Sequence, residues 1–247
     1  MYTLIYLDHV DSTNRYAADY LQSHQPTNPC VIHANHQTEG KGQYGRAWIS
    51  VENESLCFSL IIPSVNLPLT KLFLLHCITS LSIVKQLQLY FPELNFAIKW
   101  PNDIYCLEKK ICGILIQNVI KHDIVQDTIL GIGINVNNSH FSNLNQASSL
   151  YILCQRMVNL NSLMDAIVRE VIDRFQFFCD NENWDHLLTT YNELLYCKNT
   201  EVEWMHNKHS FHARIIEVNS LGQIQLRTQN ENIQWYSFGE IQYVRKV

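Results

Sequence analysis

Residues 39–48 read EGKGQYGRAW and place three glycines, Lys41 and Arg46 within ten positions. Glycines let a loop turn its main-chain N–H groups inward, and cations beside them complete a site for an anion. Gly40, Gly42 and Gly45 match the dinucleotide spacing G-x-G-x-x-G, but that motif must open a helix and needs an acid about 20 residues later. Here the loop runs into Arg46, Ala47, Trp48, Ile49 and Ser50, a strand-like stretch, and the required distance falls at Pro63, Ser64 and Val65. A Walker A loop fails as well, because no Gly-Lys pair precedes Ser or Thr in frame. A flexible surface hairpin explains the glycines. It leaves Lys41, Arg46 and neighbouring Gln37 without a role.

Residues 99–103, KWPND, follow an apolar strand with a base, an aromatic, a proline bend, an amide and an acid. Alone, such a pentad is a turn with an Asn-Asp cap. Lys110 and Gly113 follow in KKICGIL, and two strands joined by EKK form a hairpin that brings Asn102, Asp103, Lys110 and Gly113 to one end. A cluster of that composition can hold a metal and a phosphate together. In GIGINVN, residues 131–137, two strand glycines mark a bulge or a close approach, and Asn135 stands at the strand end with an amide able to read a ribose or phosphate. Ser12 or Thr13 of VDSTN reads as a helix cap, which accounts for either hydroxyl. His206, His209 and His212 are spaced three apart, so on a strand they alternate faces, and no carboxylate or thiol completes a metal set.

Alternation and β-branched content predict strands over 2–7, 30–34, 56–62, 96–100, 111–119 and 129–136. Helical periodicity predicts 14–21, 70–89 and 162–178, the last repeating Leu163, Ile167, Val171 and Phe175. Helices and strands interleave, yet several strands come in direct succession, which points to an α+β fold with a mixed sheet flanked by helices. After about Asn199 the texture changes to TEVEWM, HSFHARIIEV, GQIQLR, IQWYSF and IQYVRKV, with a turn at Asn219–Gly222. Such strands suit a small β-barrel. The expected division is 1–197 and 198–247, closely packed because no Pro/Gly linker separates the two.

The chain has 247 residues, 47% hydrophobic and 17% charged, enough apolar surface for a sizeable core and too little charge to stay open. A net charge of −5 argues against a general grip on nucleic acid. The first residues show neither a basic start nor a cleavage site, and no stretch reads as a membrane span, so the expectation is a cytoplasmic protein. Eight cysteines are scattered without CxxC pairs and read as reduced, buried thiols. Nothing around Cys106 or Cys112 suggests an activated nucleophile.

Taken in order, DSTN, GKGQYGRAW, KWPND, KKICGIL and GIGIN, followed by a β-rich tail containing SFGEI, resemble the biotin protein ligases over nearly the whole chain. The resemblance implies an α+β catalytic domain of the class II synthetase-like kind with an SH3-like C-terminal domain. It implies two steps: biotin and Mg-ATP give biotinyl-5'-adenylate, which then acylates one lysine of a biotin carboxyl carrier protein. By that analogy Ser12, Thr13, Asn14, Gln37, Gly40, Lys41, Lys110, Gly113 and Gly131 line a biotin pocket. Lys41, Gly42, Gln43, Arg46, Trp48, Asn102, Lys110 and Asn135 serve ATP. Lys110 and Arg46 supply the central positive charge, and Asp103 takes Mg2+ or aids the second proton transfer. Many relatives read G-R-G-R-x-G-R, whereas this chain has Lys41 and Gln43 at the first two arginines, and Ser55 where relatives often show Asn. Lipoate or octanoate ligases and transferases share the catalytic architecture, and a non-catalytic biotin sensor is a third reading. Only eleven residues precede Ser12, so the expectation is a form without the helix-turn-helix some members carry. A monomer or a homodimer is expected.

Overall fold

The computed structural model describes residues 1–141, 146–181 and 183–244. In chain order the first half runs β1 (Thr3–Val10), α1 (Thr13–His24), β2 (Cys30–Gln37), β3 (Ser55–Ile62), β4 (Leu67–Pro68) and α2 (Phe73–Tyr90). There follow β5 (Phe96–Lys99), β6 (Asp103–Cys106), β7 (Lys109–Lys121) and β8 (Ile124–Asn135), then α3 (Leu150–Cys154), α4 (Leu160–Asn181) and α5 (Trp184–Glu193). The C-terminal part is β9 (Glu201–His206), β10 (His209–Val218), β11 (Ile224–Thr228), β12 (Ile233–Tyr236) and β13 (Ile241–Val244).

The main sheet has the order β1-β2-β3-β8-β7-β6-β5, with short β4 beside β8. Only β1 and β2 run parallel, so the sheet is mixed, as the succession of strands predicts. β3 reads SLCFSLII and is buried at every position, as a central strand covered on both faces must be. One face packs under α1, where Ala17 and Leu21 meet Ile32, Ile61 and Ile129. The other meets α2 and α4 in the larger core. The β7–β8 hairpin turns through His122 and Asp123, both left-handed, as a two-residue turn matching strand twist requires.

α2 corrects one sequence expectation. With the turn before it, the helix over Leu69–Tyr90 is long and apolar enough to cross a membrane, and 67% of its apolar window is buried inside the protein. It is apolar nearly all round because sheet, α4 and α5 cover it from different sides. Helix α5 escapes the periodicity reading because only Leu187, Tyr191 and Asn192 of its ten residues are buried. Residues 46–50 are not a strand: a single bridge, Lys41 to Ala47, is all the pairing there. The turn expected at EKK lies one step earlier, at Leu107 and Glu108, so Lys110 already belongs to β7.

The tail forms the expected small all-β unit as an open five-stranded sheet, β12-β11-β10-β9-β13, not a closed barrel. Its edge strands β12 and β13 share no ladder among the described residues, since the turn between them sends β13 to the far side of β9. The end of the last predicted strand, residues 245–247, lies outside the described residues. Trp204, Ile215 and Leu226 join the same core cluster as α2 and α5. Asn192 fastens the junction, donating to Val218 O at 2.9 Å and accepting from Val218 N at 2.6 Å.

Candidate active site

On the α1 face, paired strands lay two rows of residues side by side. One row runs Cys57, Gly133, Gly113, Asp103; the next runs Ser59, Gly131, Leu115. Glycine at three of these positions lowers the floor into a trench, and parts of the chain itself descend into it. A Cβ on Gly131 would stand 2.1 Å from Asn14 Oδ1; one on Gly133 would stand 2.4 Å from Trp48 Cε2, and one on Gly113 3.1 Å from Trp48 Cζ3. Gly131 and Gly113 are expected here from the sequence; Gly133, the other glycine of GIGIN, lies on the same floor and is not.

At one end, the start of α1 meets the end of β2. Ser12 is the helix N-cap by backbone conformation but makes no side-chain cap bond, which corrects the capping explanation of its hydroxyl. Thr13 donates from its N–H (2.8 Å) and its hydroxyl (3.0 Å) to Gln37 Oε1. Ser59 donates to Asn14 Oδ1 at 2.6 Å and lies 2.8 Å from Thr13 Oγ1. Asn14 Nδ2 donates onward to Leu115 O (3.2 Å) and Gln117 Oε1 (3.0 Å). Ser12 faces the cleft, and its Oγ has no hydrogen-bond partner among the described residues. This end is therefore polar, buried and braced. Ser59 was missed because a serine inside an apolar strand gives no local signal.

The other end depends on a bulge. Counting along β7, Lys110 and Gly113 are three apart and would face opposite sides of the sheet. The register shifts between Ile104 and Tyr105: Cys112 pairs with Ile104, but Lys110 pairs with Tyr105, leaving Ile111 as the extra residue. Lys110 is thereby turned onto the face of Gly113 and Asp103, and its Nζ lies 2.6 Å from Asp103 Oδ1. Residues 146–148 hold it there, with Lys110 N donating to Gln146 O at 2.9 Å and Lys110 O accepting from Ser148 N at 3.1 Å. Asn102 Nδ2 donates to Ile114 O at 2.8 Å, tying KWPND to the same strand. Next to this cluster Cys112 is inert: burial drives its thiol far above the ordinary range.

The glycine loop forms the roof. Lys41, Gly42, Gln43 and Trp48 line the cleft together with Gly113, Gly131 and Gly133. Only about 50 Å³ of space remains, because the Trp48 indole lies across the floor glycines, with its Nε1 buried and unpartnered among the described residues. Ser12, Thr13, Asn14, Gln37, Asn102 and Lys110 line the same space. Four sequence candidates stand outside that lining. Gly40 is buried behind Trp48 O; Asp103 stands behind Lys110; Asn135 is buried, with Nδ2 donating to Ser148 O at 3.1 Å; and the Arg46 side chain is exposed, without a partner among the described residues. Among the described residues no three His, Cys, Asp or Glu side chains converge as metal ligands. His206 sits edge-on to Tyr236.

A model of the biotin/lipoate A/B protein ligase family matches residues 6–135. The bifunctional ligase/repressor BirA of Bacillus subtilis is 36% identical over 134 residues, covering 54% of this chain and 40% of that protein. The biotin–[acetyl-CoA-carboxylase] ligase of Mycobacterium tuberculosis is 27% identical over 143 residues, covering 57% of this chain and 52% of that one. The chain thus spans about half the length of these curated relatives, or less. The structure of biotin protein ligase from Aquifex aeolicus in complex with biotin and ATP shares the fold with a TM-score of 0.82 over 99% of both chains at 24% identity. Biotin protein ligase from Leishmania major in complex with biotinyl-5-AMP superposes with a TM-score of 0.67 at 20% identity, covering 95% of this chain and 98% of that one.

Proposed function

The chain belongs to the biotin/lipoate A/B protein ligase family, and from that premise we propose that it is an ATP-dependent biotin protein ligase. The observation that carries the choice within the family is the polar end of the cleft. Ser12 and Thr13 are buried and Gln37 is half-buried beside them, and a ureido ring, with two N–H donors and a carbonyl, can engage their polar groups. The dithiolane of lipoate has neither and would leave the Ser12 hydroxyl, which has no partner among the described residues, unpaired, at about 1–3 kcal/mol.

At the opposite end the first step joins two anions. A carboxylate is ionised at neutral pH, so no base is needed. Its oxygen attacks the α-phosphorus of ATP, the bond to the bridging oxygen breaks, and pyrophosphate leaves. What the step requires is positive charge and fixed donors. Lys110, held 2.6 Å from Asp103, supports that role, as do Lys41 and the N–H groups of the glycine loop. Asp103 is the carboxylate beside Lys110, and one carboxylate with nucleotide phosphates is a donor set suited to Mg2+. When bound, Mg2+ offsets charge on those phosphates. In the second step the amine of a carrier lysine attacks the acyl carbon and AMP leaves; in this reading Asp103, the carboxylate beside Lys110, takes the amine proton. In this reading residues 1–197 carry the chemistry and residues 198–247 help dock a biotin carboxyl carrier protein.

Incubating the protein with ATP, Mg2+, a carrier domain and either biotin or lipoate, then weighing the carrier intact, tests the proposal. A mass gain with biotin alone is expected. A gain with lipoate alone, or none with either, refutes it.

A further inference from the structure

The tip of the glycine loop touches the C-terminal sheet, and nothing in the five sequence motifs requires that contact. Among the described residues the backbone hydrogen bonds of residues 41–47 stay inside the loop: Gly42 N donates to Arg46 O at 2.7 Å and Arg46 N to Gln43 O at 3.2 Å. Tyr44 sits at the apex in a left-handed conformation, φ 54°. The residue is 69% exposed, yet its ring stacks on Phe238 with centroids 5.1 Å apart and planes 21° apart. Its hydroxyl lies 2.7 Å from the point a Cβ on Gly239 would occupy, so the chain is bare there and, with φ at 92°, suited to glycine.

The platform beneath Tyr44 is braced by its own contacts. Glu240 closes the turn that carries Phe238, its Oε2 accepting from Ser237 N at 2.6 Å. Phe238 also meets Trp100 edge-on at 5.6 Å, and Trp100 Nε1 donates to Gly222 O at 2.9 Å. One aromatic side chain of the C-terminal sheet therefore bears on the loop and on the segment leading to Asn102 and Asp103. Gln43, next to Tyr44, lines both the cleft and a cavity of about 130 Å³ beside Phe238.

We propose that Tyr44 and Phe238 are positioning residues: their stacking lets the C-terminal sheet hold the glycine loop over the cleft, setting its N–H groups and Lys41 toward the anionic substrate. The functional half of this rests on the ligase reading; the mechanical half does not. Lys41 and Arg46 are exposed in the loop, so trypsin reports its opening in the ligand-free protein, with fragment masses identifying the cuts. Tyr44→Ala and Phe238→Ala should each speed cleavage there about fivefold, about 1 kcal/mol at 1.4 kcal/mol per tenfold and within the range for an aromatic pair. Tyr44→Phe should cleave at the parent rate, and the double alanine variant no faster than either single one. With biotin and ATP, release of the adenylate should rise about fivefold in Tyr44→Ala and return to the parent rate in Tyr44→Phe. Parent-rate cleavage in Tyr44→Ala, or a double variant whose acceleration is the product of the singles, overturns the latch. Faster cleavage with unchanged adenylate release overturns its positioning role. If the parent protein makes no adenylate, the ligase reading has failed, and the proteolysis still decides whether the latch exists.

Discussion

Replacing Gly131 by alanine tests how the cleft floor is built. The added carbon would stand 2.1 Å from Asn14 Oδ1, 2.7 Å from its Cγ and 2.8 Å from its Nδ2, about 1 Å inside ordinary contact. Asn14 cannot retreat freely. It accepts from Ser59 at 2.6 Å and donates to Leu115 O at 3.2 Å and to Gln117 at 3.0 Å. Giving up two or three of these costs about 2–3 kcal/mol at about 1 kcal/mol each. Alanine recovers about 0.5–1 kcal/mol relative to glycine in a strand. The net loss is about 2 kcal/mol, a fall in Tm of about 4–8 °C for a chain of this size. Asn14→Ala removes the clash and the hydrogen bonds together, so adding Gly131→Ala to it should cost nothing more, a coupling of about 2 kcal/mol in the double-mutant cycle. Calorimetry on the four proteins measures this. Since Asn14 adjoins Thr13, the single Gly131→Ala variant should also raise KM for biotin and leave KM for ATP unchanged. A single variant within about 1 °C of the parent, or strictly additive losses, would show that Asn14 is not wedged over Gly131.

Three further predictions follow from the same geometry. Lys110→Ala should slow adenylate formation about 10²–10³-fold, as loss of one fixed charge-stabilising donor does elsewhere, with a circular dichroism spectrum like the parent's; near-normal single-turnover rates would reassign the lysine. Gln43→Arg adds a cation at the cleft wall, and slower release of the adenylate, followed by filter binding, is expected; an unchanged rate means position 43 does not help retain the intermediate. His76 is half-buried, its Nδ1 atom is buried and unpartnered among the described residues, and desolvation pulls it down to about 4. With the folded value below the unfolded one, the unfolded chain binds the extra proton. Its contribution is intact above about pH 6.5 and is lost as pH falls toward 4, with a slope of at most about 1.4 kcal/mol per pH unit. Urea titrations should lose that slope in His76→Phe; an identical pH profile would place the acid sensitivity elsewhere.

Local pattern carried much of this molecule. Largely apolar runs in β3 and in the second half of β8 announce central strands, because a strand covered on both faces has no solvent side to mark with charged residues. The four-residue repeat of Leu163, Ile167 and Val171 announces α4, and the glycine spacing in residues 40–45 announces a loop that no helix follows. The types of the cleft residues, hydroxyls and an amide at one end and a lysine beside an acid at the other, were legible as well. Their meeting was not. Strict alternation sets Lys110 and Gly113 on opposite faces, and only pairing β6 with β7 around the extra residue Ile111 brings them together. Asn14 over Gly131, Trp48 across Gly133 and Tyr44 on Phe238 join residues 85 to 194 positions apart. Periodicity reports which side of its own element a residue occupies; what stands opposite depends on register and packing, which exist only once distant segments share a core.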